Sequence, residues 1–513
     1  MLSRRTFSKG LAAAPAVLRA QPGALRARVK IDTERTIGEI DPKLYGNFIE
    51  HLGRCVDGGV FEEKSPLADA NGYRRDVLDA AKKLHVSILR WPGGNFSSNY
   101  HWRDGIGPRD QRPPRLEMAW GTVESNRFGT HEFLDYSERV GAEPYICVNL
   151  GTGTWEEAQQ WVEYCNSGED TAMTRLRKQN GRRDPWKVVY WGLGNEIDGP
   201  WQMGHRSADD YGKFALEAAK LMKLTDPAVK LIAAGSSNFG AGSDWTGWNR
   251  TVLEYLKNHA DYLSLHTYVG NPQNDYGDFL ASSVELSSRI KTAEGIIDAA
   301  LSGVRNRKIS IAWDEWNVWY RARGAQERGR RILEEHYNLE DALVVATFLN
   351  AFVNHANVVK IANMAQLVNV IAPIFTNEQG LYLQTIYYPL QLFAANTKGK
   401  ALELFVDSPT YKSRRFDDIP YLDASAGFDS GTMVLNIVNR HLDQPVDTEF
   451  DLEDKQFSGP VEITEVNGPD VKSENNFDAV NVKPAQHSMA AQGRRLQYRF
   501  PPHSYTMLRV KLA

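Results

Sequence analysis

Two glutamates of this chain stand in similar contexts, at points where an apolar run ends and a loop begins. Glu196 lies in Trp-Gly-Leu-Gly-Asn-Glu-Ile-Asp-Gly-Pro-Trp at 191–201, and Glu315 lies in Ile-Ala-Trp-Asp-Glu-Trp-Asn at 311–317. A carboxylate is costly to bury unless it is paired, hydrogen-bonded or used in chemistry. Two of them in such positions indicate an acid/base pair.

Hydrolysis of a glycosidic bond with retention of configuration needs such a pair. One carboxylic acid protonates the leaving oxygen and one carboxylate attacks the anomeric carbon, about 5–5.5 Å apart. The acid must stay protonated near neutral pH while the nucleophile stays ionised, so their environments must differ. Arg90 and the hydroxyl of Tyr268 are candidates to keep one carboxylate charged. Apolar neighbours would raise the pKa of the other, with His266 oriented against it.

Apolar or β-branched runs alternate with segments of helical periodicity from about residue 42 to residue 399. We expect eight strands at Leu44–Glu50, Val86–Arg90, Glu143–Leu150, Val188–Glu196, Val229–Gly235, Asp261–Tyr268, Lys308–Glu315 and Val358–Gln366. Helical signals between them are the apolar repeat of Tyr73–Leu84 and the capping boxes Thr154–Glu157 and Ser207–Asp210. Near-continuous hydrophobic strands separated by helices predict an α/β fold with a parallel sheet. Eight such units favour a (β/α)8 TIM barrel over a doubly wound open sheet, whose dinucleotide fingerprint is absent after every strand.

Polar residues cluster where these strands would end. The active site of a (β/α)8 barrel lies at the C-terminal ends of its strands. We therefore expect one mouth to collect Glu50, His51, Arg90, Trp91, Asn95, Asn149, Asn195, Glu196, His266, Tyr268, Asp314, Glu315 and Gln366.

The pattern changes after about Lys400 to short alternating runs separated by turn residues. This is typical of an antiparallel β-sandwich, and the strand-like segment Ala27–Ile40 would add a strand to it. The predicted organisation is a leader at 1–26, an N-terminal strand at 27–41, a catalytic barrel at 42–399 and a C-terminal β-sandwich domain at 400–513.

Composition excludes several classes of protein. A hydrophobic fraction of 42% and a charged fraction of 24% are typical of a globular protein. The net charge of −4 gives no basic excess for nucleic acid or an anionic membrane. Cys55, Cys147 and Cys165 have no Cys-x-x-Cys spacing, so neither a zinc site nor a disulfide framework is predicted.

The first residues differ from the rest of the chain. Ser3-Arg4-Arg5-Thr6-Phe7-Ser8-Lys9, followed by a stretch of small residues, matches a twin-arginine export signal; the alternative is a disordered basic tail. The prediction is export to the periplasm or cell exterior, or a cytoplasmic protein if the signal does not function.

Six segments, in order from strand 1 to strand 8, resemble glycoside hydrolase family 51, the α-L-arabinofuranosidases. They are Tyr-Gly-Asn-Phe-Ile-Glu-His-Leu-Gly (45–53), Leu-Arg-Trp-Pro-Gly-Gly-Asn-Phe (89–96), Gly-Asn-Glu-Ile-Asp-Gly-Pro-Trp (194–201), Leu-His-Thr-Tyr (265–268), Asp-Glu-Trp-Asn-Val-Trp (314–319) and Ala-Gln-Leu-Val-Asn-Val-Ile-Ala-Pro (365–373). Trp91 stands where family members often have tyrosine, and His131 where they often have aspartate.

The resemblance implies a role for each matched residue. Glu196 would be the general acid/base and Glu315 the nucleophile, with Arg90 as catalytic support. The substrate-binding residues would be Glu50, Asn95, Asn195, His266, Tyr268, Trp319 and Gln366. Asn195 would bind the sugar 2-hydroxyl and Trp319 would form an apolar wall.

The implied function is a retaining exo-α-L-arabinofuranosidase that acts on arabinose-containing oligo- and polysaccharides. It needs no cofactor and no metal, and the family suggests a homo-oligomer such as a hexamer. Three alternatives stay open at this point: another retaining glycosidase (endoglucanase or xylosidase), a non-catalytic carbohydrate-binding protein and a metal-dependent hydrolase.

Overall fold

The structure is a computed structural model that describes residues 25–323, 329 and 331–513. The twin-arginine motif of the predicted leader lies outside the described residues. None of the described helices combines the length and the apolar character that crossing a bilayer requires.

The strands and helices alternate through the first three quarters of the chain, and strands alone follow. The strands are β1 (Leu25–Glu39), β2 (Gly46–Phe48), β3 (Ile88–Trp91), β4 (Arg115–Glu117), β5 (Thr122–Glu124), β6 (Glu143–Cys147), β7 (Tyr190–Leu193), β8 (Lys230–Ala233), β9 (Tyr262–Val269), β10 (Ser310–Val318), β11 (Val359–Ala365), β12 (Ile374–Thr376), β13 (Leu381–Leu383), β14 (Lys400–Asp407), β15 (Thr410–Tyr411), β16 (Ile419–Pro420), β17 (Leu422–Asp429), β18 (Thr432–Asn439), β19 (Val446–Leu452), β20 (Phe457–Asn467), β21 (Lys483–Gly493), β22 (Arg495–Phe500) and β23 (Ser504–Leu512). The α-helices are α1 (Arg75–Leu84), α2 (Thr130–Val140), α3 (Trp155–Asn166), α4 (Ala172–Gln179), α5 (Ala208–Thr225), α6 (Trp245–Leu256), α7 (Tyr276–Leu280), α8 (Ser282–Ala300), α9 (Leu339–Asn354) and α10 (Tyr387–Asn396). Short 3-10 helices span Pro42–Tyr45, Asn95–Asn99, Trp102–Gly105 and Arg109–Gln111.

Eight parallel strands close into a barrel in the order β10-β11-β2-β3-β6-β7-β8-β9. Each of the eight lies at an apolar run from which a strand was predicted, so the (β/α)8 fold is confirmed. Five side chains, one from each of five strands, pack together in the barrel interior: Ile88, Tyr145, Ile232, Ala312 and Ile361.

Two helices begin where capping residues predicted them. Thr154 Oγ1 accepts a hydrogen bond from the backbone N–H of Glu157 at 3.1 Å, and α3 follows it. Ser207 Oγ accepts from the backbone N–H of Asp210 at 3.1 Å, at the start of α5. Each cap satisfies one of the backbone donors that an α-helix leaves unpaired in its first turn.

The C-terminal strands form one sheet with β1, in the order β21-β20-β23-β18-β17-β14-β1-β19-β22. The neighbours are antiparallel, as predicted, except that β1 runs parallel to β19, from Leu25 opposite Val446 to Ile31 opposite Leu452. A parallel pair needs a long connection, and here the whole barrel lies between the two strands. Val29, Ile31 and Phe450 belong to the separate apolar core that this sheet encloses.

Helix α9 joins the barrel to the sheet. Its side chains from Leu339 to Val353 are all buried, and it packs against β10 of the barrel and against β14, β17, β18 and β23 of the sheet. Asn350, in the middle of α9, donates to the Asp423 carboxylate at 2.6 Å and accepts from Ser425 Oγ at 2.6 Å. Such a helix, buried all round, belongs to the interior of both layers.

Candidate active site

A cavity of about 830 Å³ opens at the C-terminal ends of the barrel strands. Eight of the residues predicted for the site line it: Glu50, Asn95, Glu196, His266, Tyr268, Glu315, Trp319 and Gln366. Arg90 and Asn195 are buried and hydrogen-bonded to each other, and Arg90 in turn contacts Glu315. The polar ends of six strands therefore meet in one place.

Glu315 lies on β10, whose nine residues are all buried. Its Oε1 accepts a hydrogen bond from the Tyr268 hydroxyl at 2.7 Å, and its Oε2 accepts from Arg90 Nη1 at 2.7 Å. Burial and the charge of Glu315 raise the pKa of Tyr268, so this phenol keeps its proton and donates. Two donors, one of them cationic, suit a carboxylate anion facing the cavity.

Arg90 couples Glu315 to Asn195. Its guanidinium lies over the Phe48 ring at 4.7 Å and donates to Asn195 Oδ1 as well as to Glu315. This contact fixes which way the Asn195 amide faces, because only the oxygen can accept. Asn195 Nδ2 is buried and has no hydrogen-bond partner among the described residues, and Asn195 itself does not line the cavity wall.

Glu196 differs from Glu315 in its partners and its backbone. Its φ of 45° lies in the left-handed region, which is unfavourable for a residue with a Cβ. Its Oε2 accepts from Trp201 Nε1 at 2.7 Å, and its Oε1 lies 3.0 Å from His266 Nδ1. Burial first, and then the charge of Glu315, raise the pKa of Glu196, although His266 and Trp201 oppose the shift. Glu196 therefore holds its proton to higher pH than an ordinary glutamate does.

The two carboxyl groups are close enough to act on one bond. Oxygen atoms of Glu196 and Glu315 and a ring nitrogen of His266 all lie within 4.8 Å of one another. This spacing agrees with the separation of about 5–5.5 Å in retaining glycosidases.

His266 carries a positive charge at neutral pH. Burial alone would lower the pKa of this imidazole, but Glu315, Asp314 and Glu196 outweigh it and raise the pKa to about 10. The three groups within 4.8 Å could hold a metal ion by their disposition. A protonated imidazole, however, offers no lone pair to a metal, which disfavours a metal centre here.

Asp314 is buried beneath the cavity wall, next to Arg90 and His266. Burial raises the pKa of this carboxyl, but Arg90 and His266 lower it to about 2. It accepts from the Tyr145 hydroxyl at 2.6 Å and from Ser264 Oγ at 2.5 Å, and it is absent from the cavity wall. Its oxygens also lie 3.8 Å from Arg90 Nε and 3.4 Å from His266 Nε2, so Asp314 helps to hold both side chains in place.

Glu50 also lines the cavity. Its Oε1 accepts from the backbone N–H of Phe96 at 2.9 Å and from Trp120 Nε1 at 3.1 Å, and its Oε2 accepts from Gln366 Nε2 at 3.2 Å. Burial raises the pKa of Glu50 to about 8, with the charge of Glu315 adding to the shift and the N–H donors opposing it. Gly94 makes this arrangement possible, because a Cβ there would lie 2.3 Å from Glu50 Oε2.

Some polar residues predicted to reach the mouth are structural instead. His51 Nδ1 lies 2.9 Å from Glu124 Oε2, and its Nε2 accepts from Trp91 Nε1 at 3.0 Å. Asn149 Oδ1 accepts from the backbone N–H of Gly151 at 3.0 Å and so shapes a turn. The side chains of His51, Trp91 and Asn149 do not line the cavity, so the prediction that they join the mouth was wrong. Each of them is hydrogen-bonded to a neighbouring residue instead.

His131 lies away from the cavity. It is on α2, where its Nε2 lies 2.7 Å from the Tyr164 hydroxyl and its ring meets Trp186 at 4.8 Å. Burial lowers its pKa to about 4, so it is neutral. The departure from the family pattern at this position therefore lies outside the cavity.

The wall residues that were not predicted as site residues include Trp120, Trp201, Phe239 and Arg323. Trp120 sits in the hairpin of β4 and β5, and Trp201 closes the motif at 194–201. The indole donors of these two tryptophans reach Glu50 and Glu196. Only Trp201 had a sequence signal, its place in a quoted motif.

Comparison with known proteins matches two family models. The "Alpha-L-arabinofuranosidase 1 domain" matches residues 80–279, and the "Alpha-L-arabinofuranosidase C-terminal domain" matches residues 314–504. A curated relative from Bacillus subtilis (strain 168), named intracellular exo-alpha-(1->5)-L-arabinofuranosidase 1, is 41% identical over 497 residues, which cover 95% of this chain and 99% of the relative.

Solved structures agree with this likeness. The α-L-arabinofuranosidase of Thermotoga maritima, solved as an arabinose complex, is 36% identical with a TM-score of 0.87, over 94% of this chain and 100% of that one. A family 51 α-L-arabinofuranosidase from Bifidobacterium longum is 34% identical with a TM-score of 0.89, over 95% of this chain and 100% of that one.

Proposed function

The chain belongs to glycoside hydrolase family 51, the α-L-arabinofuranosidases, and on that basis we propose that it removes terminal α-L-arabinofuranosyl groups with retention of configuration. The observation that carries the proposal is the pair Glu196 and Glu315, which face one cavity within 4.8 Å but have different partners. The substrates are arabinose-containing oligo- and polysaccharides.

In the first step of the proposed reaction, the Glu315 carboxylate attacks the anomeric carbon while Glu196 gives its proton to the leaving oxygen. The glycosidic bond breaks, the rest of the glycan leaves as an alcohol, and arabinose stays bound to Glu315 as an ester. In the second step Glu196, now a carboxylate, takes a proton from water, whose oxygen displaces Glu315. Two inversions at one carbon give retention.

The supporting residues have matching proposed roles. Arg90 and Tyr268 hold the attacking carboxylate of Glu315 in position through their two hydrogen bonds. Asn195 offers its unpartnered Nδ2 to the sugar 2-hydroxyl, a contact that strengthens in the oxocarbenium-like transition state. Further hydroxyls are bound by Glu50, Asn95 and Gln366, and Trp319 is the apolar wall.

The linkage proposed for the natural substrate is α-1,5. Three relatives, at 37–42% identity, carry exo-α-(1→5)-L-arabinofuranosidase in their names. We expect faster release of arabinose from α-1,5-linked arabino-oligosaccharides than from α-1,2- or α-1,3-linked ones.

Two substitutions and one product analysis test the proposal. Glu315→Ala should lower kcat on an aryl α-L-arabinofuranoside by about 10⁴-fold or more, because no nucleophile is left. Glu196→Ala should spare the aryl glycoside far more than a natural disaccharide, since a phenolate leaves without protonation. Equal, mild losses in both variants, or an inverted first product by NMR, would contradict the mechanism. Faster hydrolysis of an aryl xylopyranoside or of a glucan would favour a rival glycosidase.

The cellular location of the protein and its assembly into a homo-oligomer also remain to be tested. The relatives named intracellular favour the cytoplasmic alternative, whereas the twin-arginine motif at Arg4-Arg5 favours export. Fractionation of cells that express the chain with Arg4 and Arg5 intact or replaced by lysine separates the two. The proposed homo-oligomer is tested by light scattering of the purified protein.

A further inference from the structure

A second cavity, of about 390 Å³, adjoins the one that holds the two glutamates. The two cavities share five wall residues, Thr267, Tyr268, Arg289, Trp319 and Arg323. In an exo-acting enzyme the arabinofuranosyl group occupies the deep pocket, so the rest of the glycan must extend along the mouth. The second cavity is therefore placed to receive part of the leaving group.

The walls of this second cavity carry four guanidinium groups and three carboxylates. The arginines are Arg289, Arg323, Arg414 and Arg415, and the acids are Asp275, Asp278 and Glu285. Arg289 comes from α8, whereas Arg414 and Arg415 come from the loop between β15 and β16, beyond the barrel. Because the whole chain carries a net charge of −4, this concentration of cations is a local feature.

Two of the three carboxylates in the second cavity each pair with two arginines. Asp278 pairs with Arg415 at 2.9 Å and with Arg414 at 3.1 Å, and Glu285 pairs with Arg415 at 2.6 Å and also with Arg289. Asp275 accepts a hydrogen bond from the backbone N–H of Asp278 at 3.0 Å and so caps α7. The three carboxylates of this cavity therefore cannot pair one-to-one with its four arginines.

Two of the arginines keep donors open to a ligand. Arg323 lies over the Trp319 ring at 4.2 Å, is exposed, and forms no ion pair within the described part of the chain. The Arg414 side chain is 65% exposed although it touches Asp278. Burial lowers the pKa of Arg289, and Arg415 adds to that shift while Glu285 opposes it. A further anion in this cavity would relieve the repulsion between these cations.

We propose that this cavity is a leaving-group subsite for acidic glycans, in which Arg323 and Arg414 bind the carboxylate of a uronic-acid unit. Arginine suits this ligand, because its planar guanidinium donates two parallel hydrogen bonds to a carboxylate. Trp319 lines both cavities. The inference rests on the proposed arabinofuranosidase function and specifies its substrate class.

The test compares two arabinofuranosides that have the same linkage and differ in one group. The leaving group is a disaccharide that ends in glucuronate in one compound and in glucose in the other. We expect kcat/KM for the acidic compound to exceed that for the neutral one by about fivefold at low salt, and the ratio to approach one in 0.5 M NaCl, where screening is strong.

Substitution locates the effect. The double variant Arg323→Gln/Arg414→Gln should bring the ratio of the two kcat/KM values to about one, whereas a merely structural loss would lower both values and leave their ratio unchanged. Arg250→Gln, at an exposed arginine outside the cavity, is the matched control and should keep the wild-type ratio. A wild-type ratio near one, or a ratio that survives the double substitution, would overturn the proposal. Failure of the wild type to hydrolyse the neutral compound would instead count against the arabinofuranosidase function.

Discussion

Glu196 and Glu315 are the same residue type in one cavity, and their hydrogen-bond partners make them different. Glu315 receives donors from Tyr268 and Arg90, whereas Glu196 is contacted by His266 and Trp201. In the proposed reaction, these neighbours rather than the glutamates themselves determine which group attacks and which transfers a proton.

The Tyr268 hydroxyl should contribute directly to the reaction. Tyr268→Phe removes one hydrogen bond to a charged carboxylate, which is worth about 1.5–3 kcal/mol, so we expect kcat/KM on an aryl arabinofuranoside to fall about 10- to 100-fold. Tyr136→Phe is the control, because the Tyr136 hydroxyl is buried without a hydrogen-bond partner among the described residues. Activity of Tyr268→Phe within twofold of the wild type would show that the contact is not used in catalysis.

Glu50 should make the protein less stable as pH rises. An unfolded glutamate titrates near pH 4.3, whereas burial raises the pKa of Glu50 to about 8 in the fold. Between these values the unfolded chain releases a proton that the folded chain keeps, so this stability is present below about pH 4.3 and is lost as pH rises towards 8.

Glu50→Gln removes this titration. We expect the free energy of unfolding of the wild type to fall, relative to the variant, by on the order of 3 kcal/mol between pH 5 and pH 8. Denaturant unfolding of both proteins at the two pH values measures it. Parallel pH dependences would mean that Glu50 is already ionised in the folded protein.

At the scale of elements, the loop that follows β3 shapes the cavity that is proposed to bind the substrate. A methyl group at Gly94 would lie 2.3 Å from Glu50 Oε2, so Gly94→Ala must displace the Glu50 side chain or the loop. We expect KM for an aryl arabinofuranoside to rise about tenfold, because Glu50 and Asn95 are proposed to bind sugar hydroxyls. Gly168→Ala is the matched control, since a Cβ there meets no atom within 4 Å. An unchanged KM in Gly94→Ala would indicate that Glu50 does not contact the substrate.

The sequence predicted the barrel elements well and the walls of the cavity only in part. Buried parallel strands leave continuous apolar runs, so β7 and β10 and the glutamates near their ends could be placed from the sequence. Trp120 reaches the cavity from a hairpin without helical or strand periodicity, so nothing local indicates its contact with Glu50. His51 could not be excluded from the mouth, because its partner Glu124 lies 73 residues away.

At the scale of the whole molecule, α9 makes the barrel and the C-terminal sheet one structure. Its buried side chains pack on strands of both layers, and Asn350 adds hydrogen bonds to Asp423 and Ser425. Separation of the two layers would expose an apolar helix to water.

The molecule should therefore unfold in one step. We expect a single calorimetric transition whose van't Hoff and calorimetric enthalpies agree, despite the two domains. Asn350→Leu, which removes the donor to Asp423 Oδ1 and leaves only Arg440 at the other oxygen, should lower the midpoint without splitting the transition. Two resolved transitions in the wild type would show that α9 does not couple the layers.

The position of β1 sets an order of events during synthesis. Leu25 pairs with Val446, about 420 residues later in the chain, and β14, the other neighbour of β1, also follows the barrel. At a synthesis rate of roughly 5–20 residues per second, roughly 20–85 s pass between the synthesis of β1 and that of β19. The barrel can form during that interval, whereas the sheet forms only after its last strands are made, so a chain that stops early leaves β1 with an unpaired edge on both sides.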